Sequence, residues 1–445
     1  MAHSSRDSAT LLKPFPANES VGAGIDAGIN AATERVTTPE RSALQVTFRA
    51  LRHPNFRLFT VGQIISLIGT WMQNVAISWL VYRLRHSEFL LGVSWFCTQI
   101  PVFALAPIAG LASDRFSRHR IVVVTQILSM LQAFLLAILT LTGHIKVWQL
   151  FTLAVLLGVI NAFDIPARQS FVVELTSKDD LLSAISLNST IFNAARIAGP
   201  GVAGLVVARF GEGICFLVNG FSFVAVIGCL LAMRIPARRK AAHESPWIHL
   251  KKGFHFAYVN RPVRMLLLMM GLMTTAGMPA LVLMPFFAGD IFHRGSQGLG
   301  FLMCAMGAGA VVGTLFLAGR SKVADLNRVI FFSALSLGFT YVVFARSTSF
   351  VLSLAVMPFI GFSVMRQMVS ANTLIQTAIP DHFRGRIMAL YTMMVVGLGP
   401  FGSLAAGGLA KAFGARVAVT VGGVLAFAAA LILGLRLLKV NWEHV

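Results

Sequence analysis

Residues 90–142 read LLGVSWFCTQIPVFALAPIAGLASDRFSRHRIVVVTQILSMLQAFLLAILTLT. Two apolar runs, 90–112 and 120–142, flank a short turn carrying Arg115, Arg118 and Arg120 with a single acid, Asp114. Each run slightly exceeds the roughly 20 residues that a helix needs to cross a hydrocarbon core about 30 Å thick. Two such runs around a tight basic turn predict a pair of membrane-crossing helices.

The pattern recurs along the chain. Apolar runs bounded by charge, Gly or Pro place further helices near 57–82, 147–174, 181–208, 214–233, 262–289, 296–318, 326–345, 349–376, 386–410 and 416–438. Composition agrees, because 56% of the 445 residues are hydrophobic and only 12% charged, against roughly 25% charged in soluble domains. The mean hydropathy is +0.76. The expected fold is an all-α polytopic membrane protein of twelve transmembrane helices in two six-helix pseudo-repeats.

A formal charge of +20 would suggest a nucleic-acid partner in a soluble protein. Here position decides. The basic residues cluster before the first helix (Arg41, Arg49, Arg52, Arg57) and in the central interval (Arg234, Arg238, Arg239, Lys240, Lys251, Lys252, Arg261, Arg264). Twelve spans put these segments on one side, which is the positive-inside bias of a bacterial inner-membrane protein with both termini cytoplasmic. Membrane lipid replaces nucleic acid as the expected environment. The predicted organisation is a disordered cytoplasmic tail at 1–48, a bundle at 49–233, a linker at 234–261, a bundle at 262–438 and a short cytoplasmic tail at 439–445.

The halves echo one another at a spacing of about 200 residues. Gly199-Pro200 followed by Phe210-Gly211 is matched by Gly399-Pro400 followed by Phe413-Gly414. Transporters built from repeats place their substrate between them.

Charges within a bilayer are rare and costly, so they mark candidate sites. Asp164 lies two-thirds through the fourth span, Arg196 near the middle of the fifth and Arg366 in the tenth. Each belongs to a polar stripe at helical spacing: Asn161, Asp164 and Arg168; Ser186, Ser189, Asn193 and Arg196; Arg366, Ser370, Thr373 and Thr377. An uncharged stripe, Gln63, Ser66, Thr70 and Asn74, lies on the first span. Four such faces can line one cavity. Asp164 is expected to pair with Arg196 across consecutive antiparallel helices, and with a proton as coupling ion it becomes the carrier. A salt-bridge network that only fixes packing is the competing reading. Three arginines against one acid favour an anionic or polar small-molecule cargo over a lipophilic cation.

Gly110-Leu-Ala-Ser-Asp114-Arg115-Phe-Ser-Arg118-His-Arg120 resembles the loop 2–3 signature of the major facilitator superfamily, with Ser117 where that family has Gly. The resemblance implies a gating role for Gly110, Asp114, Arg115, Arg118 and Arg120. Gly199-Pro200-Gly-Val-Ala203-Gly204 resembles the Gly-Pro motif of proton-coupled antiporters and implies a pliable gate at Gly199 and Pro200. Arg168-Gln169 departs from the antiporters' usual span-4 pattern. The stretch 162–188 with Arg384-Gly-Arg386 resembles the branch of transmembrane secretion effectors that includes the enterobactin exporter and macrolide efflux pumps. That branch implies a monomeric secondary exporter, with siderophore-like cargo favoured and a multidrug or macrolide pump as alternative. A lipid flippase or a non-transporting sensor on the same fold is a further one.

Nothing here points to an enzyme. His53, His119, His144 and His382 are scattered, no nucleotide-binding GxxxxGK[ST] loop is present, and Cys97, Cys215, Cys229 and Cys304 lie singly in apolar runs. No cofactor and no metal site are expected.

Overall fold

A computed structural model describes residues 48–233, 255–318, 326–440 and 442. The expected N-terminal tail up to residue 47 and the linker stretch 234–254 lie outside the described residues. Twelve helices are long and apolar enough to cross a membrane. The first six are α1 (Pro54–Arg85), α2 (Glu88–Arg115), α3 (Arg118–Leu141), α4 (Val147–Glu174), α5 (Leu181–Phe210) and α6 (Glu212–Leu231). The second six are α7 (Arg261–Ile291), α8 (Gly295–Ala318), α9 (Leu326–Arg346), α10 (Phe350–Ala378), α11 (Phe383–Phe413) and α12 (Ala415–Leu438). A backbone in hydrocarbon must satisfy its own polar groups, and among the described residues no strand occurs.

The helix ends follow local chemistry. Pro54 opens α1 at a position where its missing amide costs nothing, and Asn260 caps α7 by accepting the Val263 amide at 3.2 Å. Gly211 (φ 82°) and Gly414 (φ 88°) let α5 and α11 reverse at once into α6 and α12. The expected 439–445 tail is partly folded back. The Val440 carbonyl accepts from Asn327, and Trp442 is buried.

Within the first six helices, α1 packs on α5 and α6, α2 on α4, and α3 on α4 and α6; the second six repeat this with α7 on α11 and α12, α8 on α10, and α9 on α10 and α12. The two sets meet through α5 against α8 and α2 against α11. Both crossings are built on glycine. A Cβ on Gly204 would lie 2.9 Å from the Gly300 Cα, and one on Gly92 would lie 3.0 Å from the Gly407 Cα. Side chains are excluded there, so the backbones touch.

These contacts fix the internal repeat. Gly211 answers Gly414, Gly204 answers Gly407, and Gly199, against Ile68 and Trp71, answers Gly402, against Thr275 and Met278. The offset is 203 positions for each of these three glycine pairs. The Gly199–Gly399 match read from sequence is therefore displaced by three residues, nearly one helical turn.

Candidate functional site

Both glycine crossings lie toward the end that carries the α1–α2 and α7–α8 turns, hereafter the tied end. There Tyr82 on α1 donates to Asp290 on α7 at 2.8 Å, and Ser296 on α8 donates to the Gly204 carbonyl at 3.3 Å. Asp290 sits in a wide π-helical turn, Phe287–Ile291, that loosens the end of α7. Arg83 grips Glu212 at the start of α6 with two hydrogen bonds of 2.8 and 3.0 Å.

Away from the tied end the halves part around three adjoining cavities. The first, about 390 Å³, lies within the first six helices and is lined by Gln63, Thr70, Asn74, Asn161, Asp164 and Arg168 among others. Asp164 is 2% exposed and fully occupied. It accepts from Thr125 Oγ1 at 2.7 Å and from Gln126 Nε2 at 3.0 Å, and it pairs with Arg168 one turn along α4. Arg168 also donates to Gln63 at 3.0 Å. Every one of these contacts is a donor to the carboxylate. Pro166 lies between the pair and leaves the Ala162 carbonyl without its helical donor, which gives α4 local freedom at the site.

The expected pairing of Asp164 with Arg196 is not formed. Arg196 points from α5 into the second cavity, about 220 Å³, with Trp71, Asn74, Trp95, Pro200 and Met306. Its Nε and Nη2 are buried and have no hydrogen-bond partner among the described residues. Consecutive helices share depth, but α4 and α5 touch only lightly while α4 packs on α2 and α3. Asp164 therefore finds its partners on α3 and on its own helix.

The third cavity, about 340 Å³, belongs mostly to the second six helices. It is lined by seven methionines, including Met270, Met273, Met306 and Met368, with Trp95, Gln99 and Gln367. Asn74 joins the first cavity to the second, Gln99 the first to the third, and Trp95 the second to the third.

Arg366 lies away from these cavities. Its guanidinium stacks over the rings of Phe316 and Phe362 at 5.2 and 4.9 Å, between α8 and α10. The Gly158–Thr98 contact is answered by Gly361–Met306, so the 203-residue offset equates Asp164 with Gln367 and leaves Arg366 one position off the cavity face. Asn193 is also turned aside, donating to the Ser189 carbonyl at 2.8 Å.

Of the expected gating residues, Gly110, Arg115 and Arg120 lie at the end opposite the tied one, and a Cβ on Gly110 would meet nothing. Arg118 bonds the Ser170 carbonyl and Glu174 at 3.1 and 3.0 Å, fastening α3 to α4. The Asp114 side chain lies outside the described residues. Gly199 packs against Trp71, and the Pro200 carbonyl lies beside Gly300 at the α5–α8 crossing.

Sequence reasoning passed over Thr125, Gln126, Gln99, Gln367 and the methionines. Thr125, Gln126, Ser129 and Gln132 form a polar stripe on α3 that signals the first two. Among the described residues no three His, Cys, Asp or Glu are placed to hold a metal ion.

A family model described as transmembrane secretion effector matches residues 45–444, nearly the whole chain. The chain belongs to this family of the major facilitator superfamily. The transporter is 25% identical to the staphyloferrin A transporter of Staphylococcus aureus over 80% of this chain and 90% of that relative. It is 26% identical to the multidrug efflux pump Tap of Mycolicibacterium fortuitum, covering 78% and 87% of the two chains. It is 23% identical to the enterobactin exporter EntS of Shigella boydii, covering 80% and 85%. The solved nucleoside transporter NupG shares the fold at a TM-score of 0.72 and 12% identity, over 87% of this chain and all of that one. The protein is thus a multi-pass membrane transporter.

Proposed function

We propose that this transporter is a monomeric secondary exporter of the bacterial inner membrane, moving a small polar or anionic organic molecule outward in exchange for protons. The observation that carries this reading is the buried Asp164–Arg168 pair in a cavity of the first half, in a molecule whose halves touch at the tied end. With both termini cytoplasmic, as the basic clusters require, the tied end is periplasmic and the cavities face the cytoplasm. A proton on Asp164 cancels its attraction for Arg168 and frees that arginine and Gln63 to rearrange. Re-ionisation restores the network. Proton release is thereby linked to the state of the cavity. The staphyloferrin A and enterobactin relatives support siderophore-like cargo.

A second reading, multidrug efflux, is favoured by the methionine wall, since flexible thioether side chains repack around varied ligands, and by likeness to Tap.

Mass spectrometry of small molecules secreted by cells lacking the protein, or expressing wild type or Asp164→Asn at equal membrane levels, tests the proposal. The expected result is a compound whose export requires the wild type, falls at least about tenfold in Asp164→Asn, and stops when an uncoupler collapses the proton gradient. Undiminished export by Asp164→Asn would remove proton coupling at this site. Tolerance to lipophilic cations without any secreted metabolite would favour the second reading.

A further inference from the structure

The two halves have diverged around the shared cavity. At the positions of Asp164, Arg168 and Arg196 the internal repeat holds Gln367, Ala371 and Gly399, so the first half is ionic and the second neutral. Asp164 is the one acid lining the three cavities, and Arg168 and Arg196 are the two cations. Asp164 and Arg168 neutralise one another. Arg196 is left over, with two guanidinium nitrogens sealed from water and without acceptors among the described residues. An uncompensated guanidinium in such a setting carries a large desolvation cost, which an incoming anion relieves. A cation entering there would add to the cost.

Around this charge the walls are apolar. Trp71, Trp95, Leu281, Leu299 and Met303 surround the Arg196 cavity, and the methionine cavity continues it past Trp95. Within the methionine cavity Gln367 is 2% exposed, and its Nε2 donor has no partner among the described residues. A buried donor without an acceptor is costly and is satisfied by a ligand oxygen.

We propose that the second and third cavities form one binding site for amphipathic organic anions. Arg196 anchors the anionic group, Gln367 donates to a second oxygen, and the methionine wall receives an aromatic or branched apolar body. The proposal rests on the exporter reading only in taking this ligand to be the cargo. It narrows that reading, because a small hydrophilic anion leaves the methionine wall uncovered and a lipophilic cation is repelled at Arg196.

Three probes with one apolar body test it: 2-naphthyloxyacetate, its neutral primary amide, and 2-(2-naphthyloxy)ethylamine as the cation. Binding to the full chain in lipid nanodiscs is read by quenching of tryptophan fluorescence, Trp71 and Trp95 lining the site, with empty nanodiscs correcting for partition into lipid. The wild type is expected to bind the anion about tenfold or more tightly than the amide, with the cation weakest. Arg196→Gln removes that preference, whereas Arg196→Lys retains part of it and controls for folding. Replacing Met270 and Met273 together by Ser weakens all three probes alike. Equal binding of the three probes by the wild type, or an anion preference that survives Arg196→Gln, overturns the proposal. Failure of the exporter reading looks different: the anion preference persists, but no secreted compound depends on the transporter.

Discussion

A carboxylate buried in a membrane protein needs donors in place of its lost water, and three side chains supply them to Asp164. Thr125, Gln126 and Arg168 meet its two oxygens. Thr125→Val removes one donor and keeps the shape, and hydrogen bonds to charged groups contribute about 1.5–3 kcal/mol. Proton-driven export is expected to fall roughly tenfold, with binding of the naphthyl anion at Arg196 changed by less than about threefold. Loss of both in parallel would show a general packing defect. A second carboxylate, Asp180 in the α4–α5 turn, lies outside the spans. It shares hydrogen bonds with His53 at 2.9 Å and Ser177 at 3.3 Å and forms an ion pair with Arg49 at 2.7 Å, tying the approach to α1 onto the turn before α5. The His53 hydrogen bond, with Arg49 and Ser177, holds its pKa below the usual carboxylate range against a smaller opposing effect of burial. A depressed folded value means that the contribution is complete above the unfolded carboxylate's range and is lost as pH falls through the folded one. Asp180→Asn is therefore expected to lower the thermal midpoint at neutral pH and to flatten its decline in acid. Thermal unfolding of detergent-solubilised protein between pH 3 and 7 measures both. At this scale sequence revealed which residues are ionisable and deep, including the Asp164–Arg168 spacing on one helix face. It could not reveal azimuth across helices, so equal depth on neighbouring spans made Arg196 look like the partner of Asp164.

The helices were the most legible part of the molecule, because bilayer thickness dictates their length. The runs 147–174 and 262–289 differ from α4 and α7 by no more than two residues at either end. Helix-to-helix register was less legible. The Gly-Pro pairs in α5 and α11 suggested one alignment, while the glycines that touch other helices set another three residues away. The polar stripe on α10 likewise put Arg366 on the cavity face, where its neighbour Gln367 stands. A contact decides function here and a motif does not. The α5–α8 crossing illustrates it, since nothing larger than hydrogen fits on Gly204 or Gly300. Gly204→Leu is expected to hold this crossing apart and favour the state open at the tied end. Cys304 lies 3.8 Å from where a Cβ on Gly201 would stand and reports on the seam. In protein whose other cysteines are replaced by serine, a membrane-impermeant maleimide added outside cells should label Cys304 at least about fivefold faster with Gly204→Leu than without it. Equal labelling would mean that the crossing does not close the tied end.

For the whole molecule, alternating access requires that closure at one end be bistable, held by contacts strong enough to populate a state and weak enough to release it. The tied end fits that requirement. Glycine crossings supply backbone proximity without deep interdigitation, and Tyr82 adds a directional contact by donating across the halves to Asp290 at 2.8 Å. Trp79, His86 and Phe286 hold the Tyr82 ring in place, at 4.9, 4.8 and 6.4 Å between ring centroids. The acceptor sits in a π-helical turn, a segment whose looser winding lets α7 shift without breaking the whole helix. Tyr82→Phe removes the hydrogen bond and spares the ring packing. A bond of this type contributes on the order of 1.5 kcal/mol, so the ratio of tied to released molecules is expected to drop about tenfold. Spin labels on Arg85→Cys and Arg294→Cys, both exposed in the turns of the tied end, read this directly by pulsed electron spin resonance. The label pair should show a longer-distance population that grows in Tyr82→Phe and grows again when Asp290→Ala is tested alone, because that change strips the acceptor and its turn together. If the distance distribution stays that of the wild type in both variants, the glycine crossings alone hold the end closed and Tyr82 is only packing.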